Sequence, residues 1–283
     1  MFAVLPAGYD PANIYSDDSY FSEGRDFGIA DYDKLWDECL KHFYVPRLSQ
    51  IRLFQEPARL LDIGCASGGF LEAAREQGWR ISGVELSPAM RALAARRLGC
   101  PIYASLDEAL ASPDRFECVT IFEVIEHVDD PVEVIDKVAQ LLVPNGLLAL
   151  STPNCESPQA AAGLPINIWF KPPAHICYFG PQTLPRLLAK AELQTVAIEG
   201  LVGYCRAMAG DTEWLPPHIA AVLRPFRRNK RLRPGGFLGK LLKAAYPPSA
   251  YHFSRRLDLY KRRKPSEVMR TDVLEVYARK RAV

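Results

Sequence analysis

No apolar run in this chain approaches the roughly 18 residues that a membrane-crossing helix needs. The opening Met1-Phe2-Ala3-Val4-Leu5-Pro6 has neither the basic stretch nor the long apolar core of an export signal, so a cytoplasmic protein is expected. No CxxC pair occurs. The seven cysteines, at positions 39, 65, 100, 118, 155, 177 and 205, are odd in number and scattered. That pattern excludes a dense disulfide framework or a thiolate zinc ribbon and leaves reduced thiols as the simplest account. Neither charge sign dominates, with 35 Lys and Arg against 33 Asp and Glu for a net +2. A true GxGxxG is also missing. The nearest segment, Gly64-x-Ala66-x-x-Gly69, places alanine where close approach of a pyrophosphate calls for glycine, so it fits a dinucleotide poorly. What remains is 283 residues, 48% of them hydrophobic, enough to bury one full core. One α/β domain with appendages suits that length better than two equal domains.

The most informative stretch is Leu60-Leu61-Asp62-Ile63-Gly64-Cys65-Ala66-Ser67-Gly68-Gly69-Phe70. An apolar run of strand character enters a turn of small residues, and then Phe70, Leu71, Ala73 and Ala74 recur at the spacing of a buried helix face. Such a junction offers backbone N–H groups and the positive end of a helix dipole to a ligand, with Gly64 and Gly68 allowing close approach. Residues 80 to 85 read as the next strand, ending in Glu85, and Ser87-Pro88 opens a helix as N-cap and first-turn proline. An acid about 20 residues beyond such a loop accepts hydrogen bonds from ribose hydroxyls. Dinucleotide and S-adenosylmethionine compete for this cradle. Asp62 favours the second, because a carboxylate attracts a cationic amino group and repels pyrophosphate.

These residues resemble the class I S-adenosylmethionine-dependent methyltransferases, including the branch of ubiquinone-pathway O-methyltransferases. The likeness rests on 61 to 68, Gly83-Val84-Glu85-Leu86-Ser87, 116 to 131, 142 to 154, His175-x-x-Tyr178-Phe179 and 272 to 280, in the family's order. It departs at Ala66, where the family usually has glycine. The resemblance implies a Rossmann-like doubly wound α/β sheet, mostly parallel with an antiparallel C-terminal hairpin and helices on both faces. It also implies S-adenosyl-L-methionine as cofactor, held by Asp62, Gly64, Cys65, Ala66, Gly68, Glu85, Leu86, Leu106, Phe122 and Glu123, with Leu106 as an adenine wall.

Along the chain, residues 1–55 form an N-terminal arm and helix, the arm's aromatic residues serving either as a flap over a ligand or as pins to the domain surface. Pro46 is expected to kink or divide that helix. Residues 56–204 make the cofactor-binding core, 205–267 a basic insertion or lid, and 268–283 the final core strand. Residues 116 to 122 read as a strand running into Glu123-Val124-Ile125-Glu126-His127, then a helix capped by Asp130 and Pro131. If 123 to 127 form a helical turn, Glu123, Glu126 and His127 project together at i, i+3 and i+4. Three readings stay open for them: a metal set, as implied by a similar motif in ubiquinone-pathway O-methyltransferases; His127 as general base; or a loop brace. No metal is assigned. His175 is the second candidate base, with capping of the helix that starts at Gly180-Pro181 as its alternative. Residues 142 to 146 read as a turn ahead of an apolar strand at 147 to 152.

Residues 224–264 hold fourteen Lys or Arg and one acid, Asp258, a net +13 that leaves the rest of the chain acidic. A short amphipathic face at Phe237, Leu238, Leu241 and Leu242 accompanies them. A basic lobe of this kind suits peripheral contact with an anionic membrane surface, or it is a solvated linker. Nucleic acid is disfavoured, since no RNA module accompanies it. The expected function is methyl transfer to a hydroxyl, or secondarily to nitrogen or carbon, of a small-molecule, glycan or lipid-linked acceptor. A non-catalytic Rossmann-like binding protein and an NAD-dependent oxidoreductase are the alternatives.

Overall fold

The structure, a computed structural model, describes residues 37–157, 175–201 and 273–282. Seven strands form one sheet in the order β3-β2-β1-β4-β5-β7-β6. In chain order these are β1 (Arg59–Ile63), β2 (Arg80–Val84), β3 (Ile102–Tyr103), β4 (Phe116–Phe122), β5 (Leu142–Pro153), β6 (Leu193–Leu201) and β7 (Val273–Lys280). The first five pair in parallel, and β7 runs antiparallel between β5 and β6. The sheet therefore has the mostly parallel, hairpin-terminated form expected from the resemblance. Its order reverses beside β1, between β2 and β4, the crevice where ligands of open α/β sheets bind.

Period-two alternation in the strands builds two apolar layers. Leu60, Cys118, Leu147 and Tyr277 pack with Leu48 and Ile51 of α1 (Asp37–Ile51), Phe70 and Leu71 of α2 (Gly69–Glu76) and Leu98 of α3 (Pro88–Leu98). Their neighbours Leu61, Val119, Leu148 and Val276 face the other way, with Ala109 of α4 (Leu106–Ala111), Ile135 and Val138 of α5 (Pro131–Leu141) and Leu184 of α6 (Thr183–Lys190). Helices thus cover both faces, as parallel sheets require.

Local signals set most helix starts. Ser87 accepts the Met90 N–H, Ser105 accepts that of Glu108, and Asp130 caps Val132 and Glu133, each ahead of a helix placed where the caps predict. Two expectations change. Helix α1 runs through Pro46 to Ile51 without a break in its span, its last turn anchored by fully buried Leu48 and Ile51. Residues 142 to 146 are not a turn outside the strand: β5 begins at Leu142, paired with Phe116, and the ladder shifts register before Cys118 meets Leu147. Left-handed Asn145, at φ 61°, sits in that irregularity.

The N-terminal arm before residue 37, the loop 158–174 and the basic insertion lie outside the described residues.

Candidate active site

The glycine-rich turn follows β1. Gly64 and Cys65 donate backbone N–H groups to the Val84 carbonyl, binding the turn to the neighbouring strand. Gly64 has φ 75° and Gly68 φ 86°. A Cβ on Gly64 would lie 2.5 Å from a methyl of Val124, and one on Gly68 would lie 2.6 Å from Leu98. Both glycines are therefore demanded by the protein's own packing as well as by its backbone twist. Ala66 is left-handed too, at φ 46°.

Glu85, directly after β2, braces this turn. Its Oε2 accepts the Ala66 N–H and its Oε1 the Ser87 N–H, each at 2.8 Å. At 6% exposure its carboxyl is pushed up by burial, against the pull of those N–H groups. Each oxygen keeps a second lone pair able to accept a further hydrogen bond. Leu86 beside it is half exposed, and Leu106, at the start of α4, is half-buried against the core. Cys65 is buried, and burial pushes its thiol far up, so it is an apolar wall here rather than a nucleophile.

Asp62 is buried on β1 directly opposite Thr120 of β4, whose hydroxyl donates to Asp62 Oδ1 at 2.6 Å. Burial drives its carboxyl up to about 7, opposed by that hydrogen bond and by the charge of Arg47.

At the end of β4 the chain does not form the helical turn that would align Glu123, Glu126 and His127. Glu123 takes a left-handed φ of 56°, and only Ile125–His127 form a 3-10 turn. Glu123 points instead to the β5 side, where the Ser151 hydroxyl donates to its Oε1 at 2.7 Å and Arg47 lies 3.8 Å away. Glu126 is 2% exposed and accepts from the Thr152 hydroxyl at 3.0 Å. Its carboxyl is held well above the usual carboxylate range, by burial first and by the Glu123 charge second. Glu123 shifts upward for the same first reason, though its side chain keeps 26% of its surface exposed.

His175, from the loop after β5, lies edge-on to His127, with ring centroids 4.6 Å apart. Ile176 and Cys177 donate backbone N–H groups to the Glu126 carbonyl, which fixes that loop against the 3-10 turn. The helix-capping alternative for His175 is not realised: Gly180 N–H is taken by the Thr183 hydroxyl, and α6 has no side-chain cap. Glu126, His127 and His175 together bring three ligand atoms within 4.8 Å of one another.

Sequence reasoning missed Arg47. From α1 it donates to Glu275 of β7 at 2.9 Å and to Ser151 at 3.2 Å, and its guanidinium lies 4.5 Å over the Phe122 ring. Phe122 stands edge-on to Phe70 of α2, which in turn meets Tyr44 of α1. A carboxylate at 275 within the apolar run 273–278 of β7 was the available signal; its partner 228 positions away was not.

A parallel sheet with an inserted antiparallel strand, a braced glycine turn at its switch point and an acid closing the next strand define the class of S-adenosylmethionine-dependent methyltransferases, whose cofactor is S-adenosyl-L-methionine. A family model described as a methyltransferase domain matches residues 36–198, and the chain belongs to that family. Among curated proteins it is 31% identical over 159 residues to the ubiquinone biosynthesis O-methyltransferase of Xanthomonas campestris, covering 51% of this chain and 66% of that one. The chain thus spans just under two thirds of the length of that relative. Its fold is shared by a methyltransferase from Archaeoglobus fulgidus (TM-score 0.53, 19% identity, covering 88% of this chain and all of that one). It is shared as well by one from Mesorhizobium loti (TM-score 0.51, 19% identity, 83% and 96%).

Proposed function

We propose that this protein transfers a methyl group from S-adenosyl-L-methionine to a hydroxyl of a small-molecule or lipid-linked acceptor. The observation that carries the reading is the meeting of two imidazoles, His127 and His175, beside buried Glu126 at the same strand ends that present the braced glycine turn. The relative from Xanthomonas campestris bears the name of an O-methyltransferase, which supports oxygen over nitrogen or carbon.

In this reading the backbone of residues 64 to 68 receives the methionine portion of the cofactor, with Asp62 countering its ammonium, and Glu85 takes the ribose hydroxyls. Leu86 and Leu106 wall the adenine. Phe122 and Glu123 close the pocket towards the transfer point. The chemistry is in-line attack of the acceptor oxygen on the sulfonium methyl. Held geometry supplies roughly 7–11 kcal/mol of such a barrier, and a base that removes the hydroxyl proton adds about 10²–10⁴-fold. His127 or His175 holds that proton. Their edge-on contact lets one ring orient the other.

The test is identification by mass spectrometry of ligand carried through purification, followed by activity screening against phenolic, glycan and lipid-linked acceptors. Full turnover in His127→Ala or His175→Ala removes that histidine as the base, and no affinity for either S-adenosylmethionine or S-adenosylhomocysteine ends the proposal.

A further inference from the structure

Gly83, Asp62, Thr120 and Ala149 stand side by side on β2, β1, β4 and β5 and form one row across the middle of the sheet. On the same face, Leu60, Cys118 and Leu147 lie one row below, and Phe122, Ser151 and Glu275, the residues that meet Arg47, lie one row above. Within the row the two polar side chains are buried, Asp62 at 5% exposure and Thr120 at 0%. Gly83 and Ala149 flank them without a polar side-chain atom, so across the row the acid and the hydroxyl have each other. We infer that Thr120 is a positioning residue for the cofactor: its hydroxyl fixes Asp62 through Oδ1 and supports the carboxylate form, leaving Oδ2 for the ammonium of S-adenosyl-L-methionine. This role rests on the placing of that ammonium at Asp62 in the proposed function, and it adds the residue that makes the acid fit to receive it.

The hydroxyl has two acceptors within reach. Asp62 Oδ1 lies at 2.6 Å and the Leu61 carbonyl at 3.4 Å. The first distance is that of a charge-assisted O–H···O⁻ bond, and the second is too long to compete. A completely buried hydroxyl must spend its hydrogen somewhere, and here it goes to the acid.

The balance at Asp62 gives that bond its leverage. Burial pushes the carboxyl up to about 7; of what opposes burial, the Thr120 hydroxyl comes first and Arg47 second, while Glu85 adds to the rise. Burial holds the neighbouring Cys65 and Cys118 sulfurs as thiols, so neither brings a charge. An acid so balanced near neutrality is tipped to its uncharged form by loss of one donor, and an uncharged carboxyl attracts an ammonium far less.

The test follows binding of S-adenosylhomocysteine, which carries the same amino-acid end, to the full chain by calorimetry between about pH 6 and about pH 9. Taking each variant relative to wild type at the same pH cancels titration of the ligand's own amine. Thr120→Val puts a methyl of similar size in place of the hydroxyl. It should lose about fivefold in affinity at pH 7 and return to within about twofold of wild type at pH 9, where the acid ionises without help. Thr120→Ser keeps the donor and should restore the wild-type profile. In an Asp62→Asn background, Thr120→Val should cost less than about twofold at any pH, because the pair acts as one. Circular dichroism confirms folding, and Thr120→Ala read against Thr120→Ser gives the same comparison should the valine variant not fold. If Asp62→Asn binds like wild type at every pH, the ammonium lies elsewhere and the role of Thr120 falls with that placing. If Asp62→Asn weakens binding while Thr120→Val follows wild type, or loses equally at every pH, the ammonium keeps its place and the role of Thr120 alone is overturned.

Discussion

Glu85 braces the glycine turn, and under the proposed function the same side chain also holds the ribose. Both its oxygens already hold backbone N–H groups of residues on either side of the cofactor crevice. Glu85→Gln would turn an NH₂ towards one of those N–H groups, a buried donor facing a donor, so S-adenosylmethionine affinity should fall about 10–100-fold by calorimetry, in line with the roughly 1.5–3 kcal/mol of a charged hydrogen bond. Asp62 gives a pH dependence. Its carboxyl titrates at about 7 in the fold against 3.8 ordinarily, so the folded chain retains a proton that the unfolded chain releases. Stability of the cofactor-free protein is therefore unaffected below about 4, declines as pH rises from 4 to 7, and stays lowered above it. Asp62→Asn should raise the melting temperature at pH 8 and leave it nearly unchanged at pH 4. If Asp62 meets the cofactor ammonium, affinity should weaken as pH falls below 7, and Asp62→Asn should flatten that profile in fluorescence titrations.

Between elements, the decisive contact is Arg47 with Glu275. It fastens α1, which lies outside the parallel core, to β7, and Gln50 with Glu199 at 2.6 Å adds a second fastening to β6. Glu275 is 1% exposed. Arg47→Ala would break this buried ion pair while Glu275 keeps the Tyr277 hydroxyl at 3.0 Å, a loss of about 3 kcal/mol that should lower the melting temperature by roughly 10 °C. Arg47→Lys keeps the charge but gives up the planar fork over Phe122 and should recover only part of the loss. Elements of this kind set the boundary of what could be read from the chain. Ser87, Ser105 and Asp130 act within three residues, so their helices were legible, as was the strand–turn–helix at 60 to 70. Residues 142 to 146 read as a turn because Pro144-Asn145-Gly146 is a turn signal, and Asn145 does take a left-handed φ of 61°, but within a strand irregularity that only pairing with β4 reveals. The helical spacing of Glu123, Glu126 and His127 failed for a similar reason: Val124 must fit over Gly64, a contact across 60 positions that no local period reveals.

For the molecule as a whole, no helix among the described residues is long and apolar enough to cross a membrane. Residues 224–264, outside those described, carry a net +13 against an acidic remainder. If that charge meets lipid, the protein should sediment with vesicles containing phosphatidylserine and not with neutral ones, and the bound fraction should drop at high salt, since each basic residue near the surface contributes about 1 kcal/mol. Equal sedimentation with both would rule this out.

The place of β7 has a consequence for how the chain is made. Strand β6, finished at Leu201, reaches the sheet only through β7, which begins at Val273. While a ribosome is still working between those points, β5 carries a bare hydrogen-bonding rim and β6 has nothing to join. The parallel half can mature early, but closure waits for a late-arriving ribbon, which makes assembly slow and sensitive to chaperone supply. A premature stop ahead of 273 should therefore yield not a shortened enzyme but an insoluble one.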